Sequence, residues 1–203
     1  MTTLSFPTVP AATVDWQLAT VSENFASPFT GDEQTASNFG AARWVAVLTW
    51  KLLSRAEAAD LEAFLAECNG TAGRFYLGNQ ARATPRGVVA GTPVVDGAAN
   101  YGGLLATRGW TPSTAGLLLR GDYFAVANEP KMVRADVTSD GAGEAVLSIT
   151  PPLRFVPADG AAIVTSNWTG IFRLQDDNQA KFAYRKQTGD YQIACVETWS
   201  PAA

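Results

Sequence analysis

The stretch that most constrains the fold is 117–165, LLLRGDYFAVANEPKMVRADVTSDGAGEAVLSITPPLRFVPADGAAIVT. Short apolar runs alternate there with compact turn clusters. The run 117–119 is followed by Gly121-Asp122, 123–127 by Asn128-Glu129-Pro130, 132–137 by the cluster from Ser139 to Gly143, and 145–149 by Pro151-Pro152. Each break holds residues that tolerate positive φ or fix φ, so each predicts a reversal between antiparallel strands. Residues 163–165 add a last short strand. A meander of this kind presents surfaces rather than a catalytic constellation.

The rest of the chain supplies a second, mixed region. Residues 3–12 carry Pro7 and Pro10 and read as an extended arm with few ladder bonds. In 13–21 Val14, Trp16 and Leu18 alternate with Asp15, Gln17 and Ala19, a half-buried strand. In 43–52 Trp44, Ala46, Leu48 and Trp50 share one face, and Val45 and Val47 make the other partly apolar, so this strand is expected to be covered on both sides. Ser54-Arg55-Ala56-Glu57 then matches a capping box, Ala58, Leu61, Phe64, Leu65 and Cys68 recur at helical spacing, and Asn69-Gly70 supplies the stop. Strands are predicted at 74–77, 170–174, 181–185 and 191–199. The fold class is therefore mainly β (α+β): residues 1–80 with 166–203 form a β-sandwich lobe with one packed helix, and 81–165 form an inserted all-β meander or barrel lobe.

Residues 22–42 read as a long polar loop carrying Phe25, Phe29 and Phe39. Three phenylalanines in a surface loop need an apolar home, either in their own subunit or in a neighbour, and the expectation is that Phe25, Phe29 or Phe39 inserts against an adjacent subunit or ring.

Composition removes several function classes. The 203 residues contain no histidine, so the Ser-His-Asp triad, the Cys-His dyad and His-based metal sites are excluded, and neither a metal nor a cofactor is expected. A net charge of −4 argues against gripping nucleic acid through its phosphates. Charged residues make up only 17%, consistent with a surface partly covered by partners. Cys68 and Cys195 read as buried small hydrophobes rather than a bridge. The N-terminus shows no signal peptide, and no apolar run reaches membrane-span length, so no membrane insertion is expected. Asp136, Asp140 and Glu144 lack calcium-loop spacing. Asp176-Asp177 and Asp32-Glu33 are paired acids of the kind glycoside hydrolysis uses, but they stand in turn-like surroundings. Arg120-Gly121-Asp122 reads as a turn. Trp110 and Trp168 lie in loop-like surroundings where a sugar could stack, the basis of an alternative reading as a carbohydrate- or receptor-binding β-module, but Trp110 is rather expected to pack against the meander.

In chain order the sequence holds SPFTG at 27–31, GAxRW at 40–44, SRAEA at 54–58, GRFYLG at 73–78, TPRG at 84–87, RGDY at 120–123 and TPPLR at 150–154. With these motifs it resembles the distal tail proteins, and related minor tail-tip proteins, of long-tailed (siphovirus-type) bacteriophages and phage-like gene transfer agents, over nearly its whole length. The resemblance implies a structural, non-enzymatic virion protein. It implies a tube-like first lobe forming a homo-oligomeric, hexameric ring between the tail tube protein and the tail-tip hub protein, decorated by the second lobe. DNA would pass through the ring's lumen without specific binding, along a neutral to acidic wall.

Overall fold

The structure, a computed structural model, describes residues 3–97, 100–181 and 189–199, with the side chains of 37–40 outside the description. The chain is mainly β. In chain order the described strands are β1 (Leu4–Ser5), β2 (Thr13–Ala26), β3 (Glu33–Leu53), β4 (Phe75–Leu77), β5 (Gly91–Val95), β6 (Gly102–Trp110), β7 (Tyr123–Val126), β8 (Glu129–Val133), β9 (Ala145–Leu153), β10 (Ile163–Val164), β11 (Gly170–Leu174) and β12 (Gly189–Glu197). The α-helix, α1 (Arg55–Cys68), follows β3 directly.

The strands form two six-stranded sheets, in the orders β1-β4-β11-β12-β3-β2 and β10-β7-β8-β9-β6-β5. In the first sheet Trp44, Ala46, Leu48 and Trp50 of β3 face inward, opposite the inward Tyr191, Ile193 and Cys195 of β12. Ser54 accepts from the N–H of Glu57, and the Glu57 carboxylate accepts from the Ser54 N–H at 2.9 Å, which closes the capping box at the start of α1. Asn69, left-handed at φ 49°, ends the helix. Ala58, Leu61, Phe64, Leu65 and Cys68 are the buried face, as their spacing predicts, and they join the same core as the sheet. Cys68 and Cys195 are free and buried, and burial pushes the Cys68 thiol up to about 11 and Cys195 higher still, so neither is a ready nucleophile. The N-terminal stretch is less independent than its prolines suggest. Leu4 and Ser5 pair with Phe75 and Tyr76, and Val9 accepts from the Trp50 indole at 3.1 Å.

The second sheet curls on itself. Val94 bridges to Ala162, and the Val95 N–H donates to Ala161 at 2.9 Å, so its two edge strands meet in a nearly closed barrel. Leu105, Leu117, Phe124, Val133, Leu147 and Ile149 fill it.

Several local expectations need correction. Residues 22–42 are not a loop: they form the outer half of the β2–β3 hairpin, in register from Val21–Asn38 to Ala26–Glu33. The described side chains of those rungs and their turn are exposed apart from half-buried Ser27, so the sequence lacks the apolar alternation that marks a buried strand, while the backbone ladder forms regardless. The run 117–119 is not a strand; Leu117 and Leu118 are fully buried, tied to Val137 by two backbone bonds. The β7–β8 reversal lies at Ala127-Asn128, with φ of 49° and 62°, one residue before the predicted Asn128-Glu129-Pro130 cluster, so Glu129 and Pro130 belong to β8. β9 runs through Pro151 and Pro152, where its register against β6 shifts and ladder donors are not required. The strand expected at 181–185 lies outside the described residues except for Lys181, which is not in a strand.

Candidate interaction surface

The β2–β3 hairpin has two halves. From Thr13–Thr49 to Ala19–Arg43 it pairs over the core; then 39–42 stand opposite Thr20 alone, and pairing resumes at Val21–Asn38. The interruption is anchored from below. Arg154 makes a bidentate ion pair with Glu197, at 2.6 and 2.9 Å, and also donates to the Ala42 carbonyl. The Trp44 N–H donates to the same Glu197 carboxylate at 2.9 Å. Both partners of this pair are buried, so each compensates a charge that would otherwise be stranded in low dielectric. The Trp199 ring stands 4.3 Å from the Arg154 guanidinium and 4.6 Å from that of Arg43.

Around this anchor the two sheets meet through aromatic rings. Trp16 packs on Trp44, Trp168 and Phe172, and Tyr123 of β7 stacks on Trp168 with centroids 5.2 Å apart. The Trp44 indole donates to Pro130 of β8 at 3.0 Å. Gly170 allows the approach: a Cβ there would sit 2.3 Å from the Pro130 ring. Nearby, Lys131 is fully buried against Glu129 at 2.6 Å and the Pro152 carbonyl at 3.0 Å; burial lowers its pKa, and the Glu129 carboxylate opposes that shift.

Beyond the interruption the hairpin leaves the body. Six rungs reach about 20 Å, and every described side chain from Thr20 to Ala36 is exposed except half-buried Ser27. Ser27 organises the tip: its hydroxyl accepts from the N–H groups of Phe29 and Thr30, its N–H donates to Asp32, and Gly31 at φ 74° closes the turn. Asn24 accepts from Thr35 across the ladder at 2.7 Å. On this arm Phe25 is 58% exposed, Phe29 95% and Val21 49%. From Trp16 to Ala42 the only charged residues are Glu23, Asp32 and Glu33, so the arm is aromatic and acidic with no cation. That charge pattern was readable in the sequence, but it gained meaning only once the segment proved to be a projecting hairpin.

Of the residues singled out from sequence, Phe25 and Phe29 therefore stand on the arm, and the Phe39 side chain lies outside the described residues. Trp110 and Trp168 present no face to a sugar. Both rings are buried, their indoles donating to Thr107 at 2.8 Å and to the Arg82 carbonyl at 3.0 Å. Asp122 of the Arg-Gly-Asp turn is buried and structural. It accepts from Leu119 and Gly87 N–H groups and from Arg86, joining 84–87 to the 119–122 turn. Burial pushes its carboxyl up, but these donors outweigh that and hold its pKa below the usual carboxylate value. Asp136 accepts from Arg120, Asp140 from Ala142 and Glu144, and Asp177 from Thr71, so these acids organise backbone. Among the described residues no group of His, Cys, Asp or Glu is arranged to hold a metal ion, and no helix is long and apolar enough to cross a membrane.

Compared with known proteins, the sequence matches no family model and no curated protein.

Proposed function

We propose that this chain is a structural subunit of the tail of a long-tailed phage or phage-like particle, a distal ring protein between the tail tube and the tip hub, and that its arm joins it to its neighbours. The observation that carries the reading is the hairpin arm. A segment that projects about 20 Å with Phe25 and Phe29 in water is apolar surface in search of a partner. The motifs by which the sequence resembles distal tail proteins support a tail component as the partner, and several fall at structural joints of this fold. SPFTG at 27–31 is the arm's turn, Trp44 and Arg154 hold the hairpin root, and TPRG and RGDY meet through Asp122.

A ring subunit needs two unlike surfaces that meet head to tail and close. Six copies, in the virion tail with DNA passing through the lumen, is the assembly this reading adopts. The open face of the first sheet carries Asp15 among Arg43, Lys51 and Arg173, which would make a mixed, partly basic wall rather than the neutral to acidic one expected, so the surface lining the channel is a sharp point of test. The reading is non-catalytic: the paired acids at 32–33 stand on the arm tip, and Asp177 holds the Thr71 backbone. The experiment is reconstruction of intact tails together with particle yield from Phe25→Ser/Phe29→Ser. A sixfold ring with the arm against an adjacent subunit, and loss of particles in the double variant, is the expected result. A single peripheral copy, or normal yield, would sink it.

A further inference from the structure

The arm's chemistry prescribes its receptor: apolar surface for Phe25, Phe29 and Val21, with cations for Glu23, Asp32 and Glu33. One described surface of this same chain has that character. An open groove of about 700 Å³ on the second sheet is lined by Arg120, Gly121, Met132, Arg134, Ser148 and Thr150. Arg120 and Arg134 are exposed, and neither guanidinium has an ion pair or hydrogen bond among the described residues. Asp136 beside them uses a carboxylate oxygen on the Arg120 N–H at 2.8 Å.

The groove continues into an apolar rim. The Arg134 N–H donates to Ser148 at 2.8 Å, Ser148 is the register partner of Leu104, and Val146 lies two residues along the same face of β9. Leu104 is 58% exposed and Val146 65%. A monomer therefore displays an acidic aromatic projection on one sheet and two unpartnered arginines beside open leucine and valine on the other. The two surfaces are complementary in charge and both lack cover.

The geometry points to a second copy of this chain as the occupant: the 20–38 arm of one copy seats in the Arg120–Arg134 groove of the next. The contact is heterologous, using different patches on the two copies, so it propagates head to tail and closes into a ring where the rotation permits. Opposite charges on exposed rims steer the encounter and set register, and they make the contact salt-sensitive. This inference rests on the reading of the arm as an inter-subunit contact and adds its receptor.

The test uses the purified full chain in sedimentation velocity from micromolar to near-millimolar concentration at low salt. The wild type should associate reversibly, weakening as salt rises. Arg120→Glu/Arg134→Glu should weaken association at least tenfold, and Glu23→Lys/Glu33→Lys should do the same. Mixing the two variants should restore a complex, because the reversed arm then meets the reversed groove. Circular dichroism checks that each variant folds; if the groove variant does not, Phe25→Ser/Phe29→Ser and the arm-charge variant carry the test from the other side. A wild type that stays monomeric throughout, or association indifferent to the arginines, overturns the proposal. Particle assembly separates this failure from that of the tail reading. If the arm phenylalanines are needed for particles but the arginines are not, the arm docks on a different component and only this inference falls. If neither is needed, the arm is not an assembly contact and the tail reading loses its support as well.

Discussion

The two halves of the β2–β3 hairpin are the same pair of strands with opposite fates. At the root, Trp16 and Trp44 alternate with Gln17 and Val45 and pack into a seam of rings and buried ions; Trp44 is 2% exposed. At the tip, Val21, Glu23 and Phe25 stand two residues apart on the same strand without an apolar alternation, and all three are exposed. The ladder hydrogen bonds are alike, so backbone pairing does not distinguish the halves. What differs is whether the face opposite is supplied by the same chain. The root is stabilised by burial within the monomer, and the tip's apolar area becomes useful only when another surface covers it.

The sharpest way to break this comparison is to attack the root. Removing Arg154 leaves Glu197 buried beneath Trp44 without its partner, and loss of one member of a buried pair costs about 3–5 kcal/mol. Trp44→Ala empties the seam of a large ring and its bond to Pro130, with a cost of similar size, about 3–5 kcal/mol. Either change should lower the melting temperature by roughly 6–20 °C for a chain of this length. Melting within a degree or two of wild type for both would mean that the two sheets are not held together at this seam.

A smaller effect is expected at Asp122, which joins two loops of the second sheet and touches neither half of the hairpin. Asp122→Asn turns an acceptor into a donor facing N–H groups, at a cost of about 1–3 kcal/mol. Its folded pKa is depressed, so its contribution is present above the unfolded value near 4 and is lost as pH falls through the folded value. Wild type should therefore lose more stability than the Asn variant as pH falls below about 4. Parallel pH profiles for the two proteins would remove Asp122 from that acid transition.

The parts of this fold that were legible in the sequence are those where local chemistry and burial agree. Ser54 and Glu57 announce the helix start, Leu61 and Phe64 its buried face, and Trp44 to Trp50 a strand, because each pattern records a face pressed against the core. The arm was not legible as a hairpin for the converse reason: a ladder in water on both faces imposes no periodic apolar demand, and its turn, built around Ser27 and Gly31, resembles any polar loop. Its phenylalanines were still informative, since exposed rings mark a missing partner whatever the backbone does. The sugar-stacking reading failed because loop-like neighbours in sequence say little about depth: a distant segment at Arg82 holds the Trp168 indole, and Trp110 packs into the core of the second sheet, as expected of a ring set against the meander. Arg120 and Arg134 carried no signal, since only the folded sheet sets them beside Leu104 and Val146.

The smallest effect on stability is expected where the effect on assembly is largest. Phe25 and Phe29 bury little within the monomer, so Phe25→Ser/Phe29→Ser should change folding stability by no more than about 0.5 kcal/mol, in the range of ordinary surface substitutions. The arm itself should be the first element to open. Amide exchange at 21–26 and 33–36 should be fast in the isolated chain, while the root amides at 13–19 and 43–49 exchange only through larger openings, because only the root has a packed face. On association the tip amides should slow, whereas the root amides, already protected, should barely change. If tip and root exchange alike in the monomer, the arm packs on its own body, and its phenylalanines are not waiting for a neighbour.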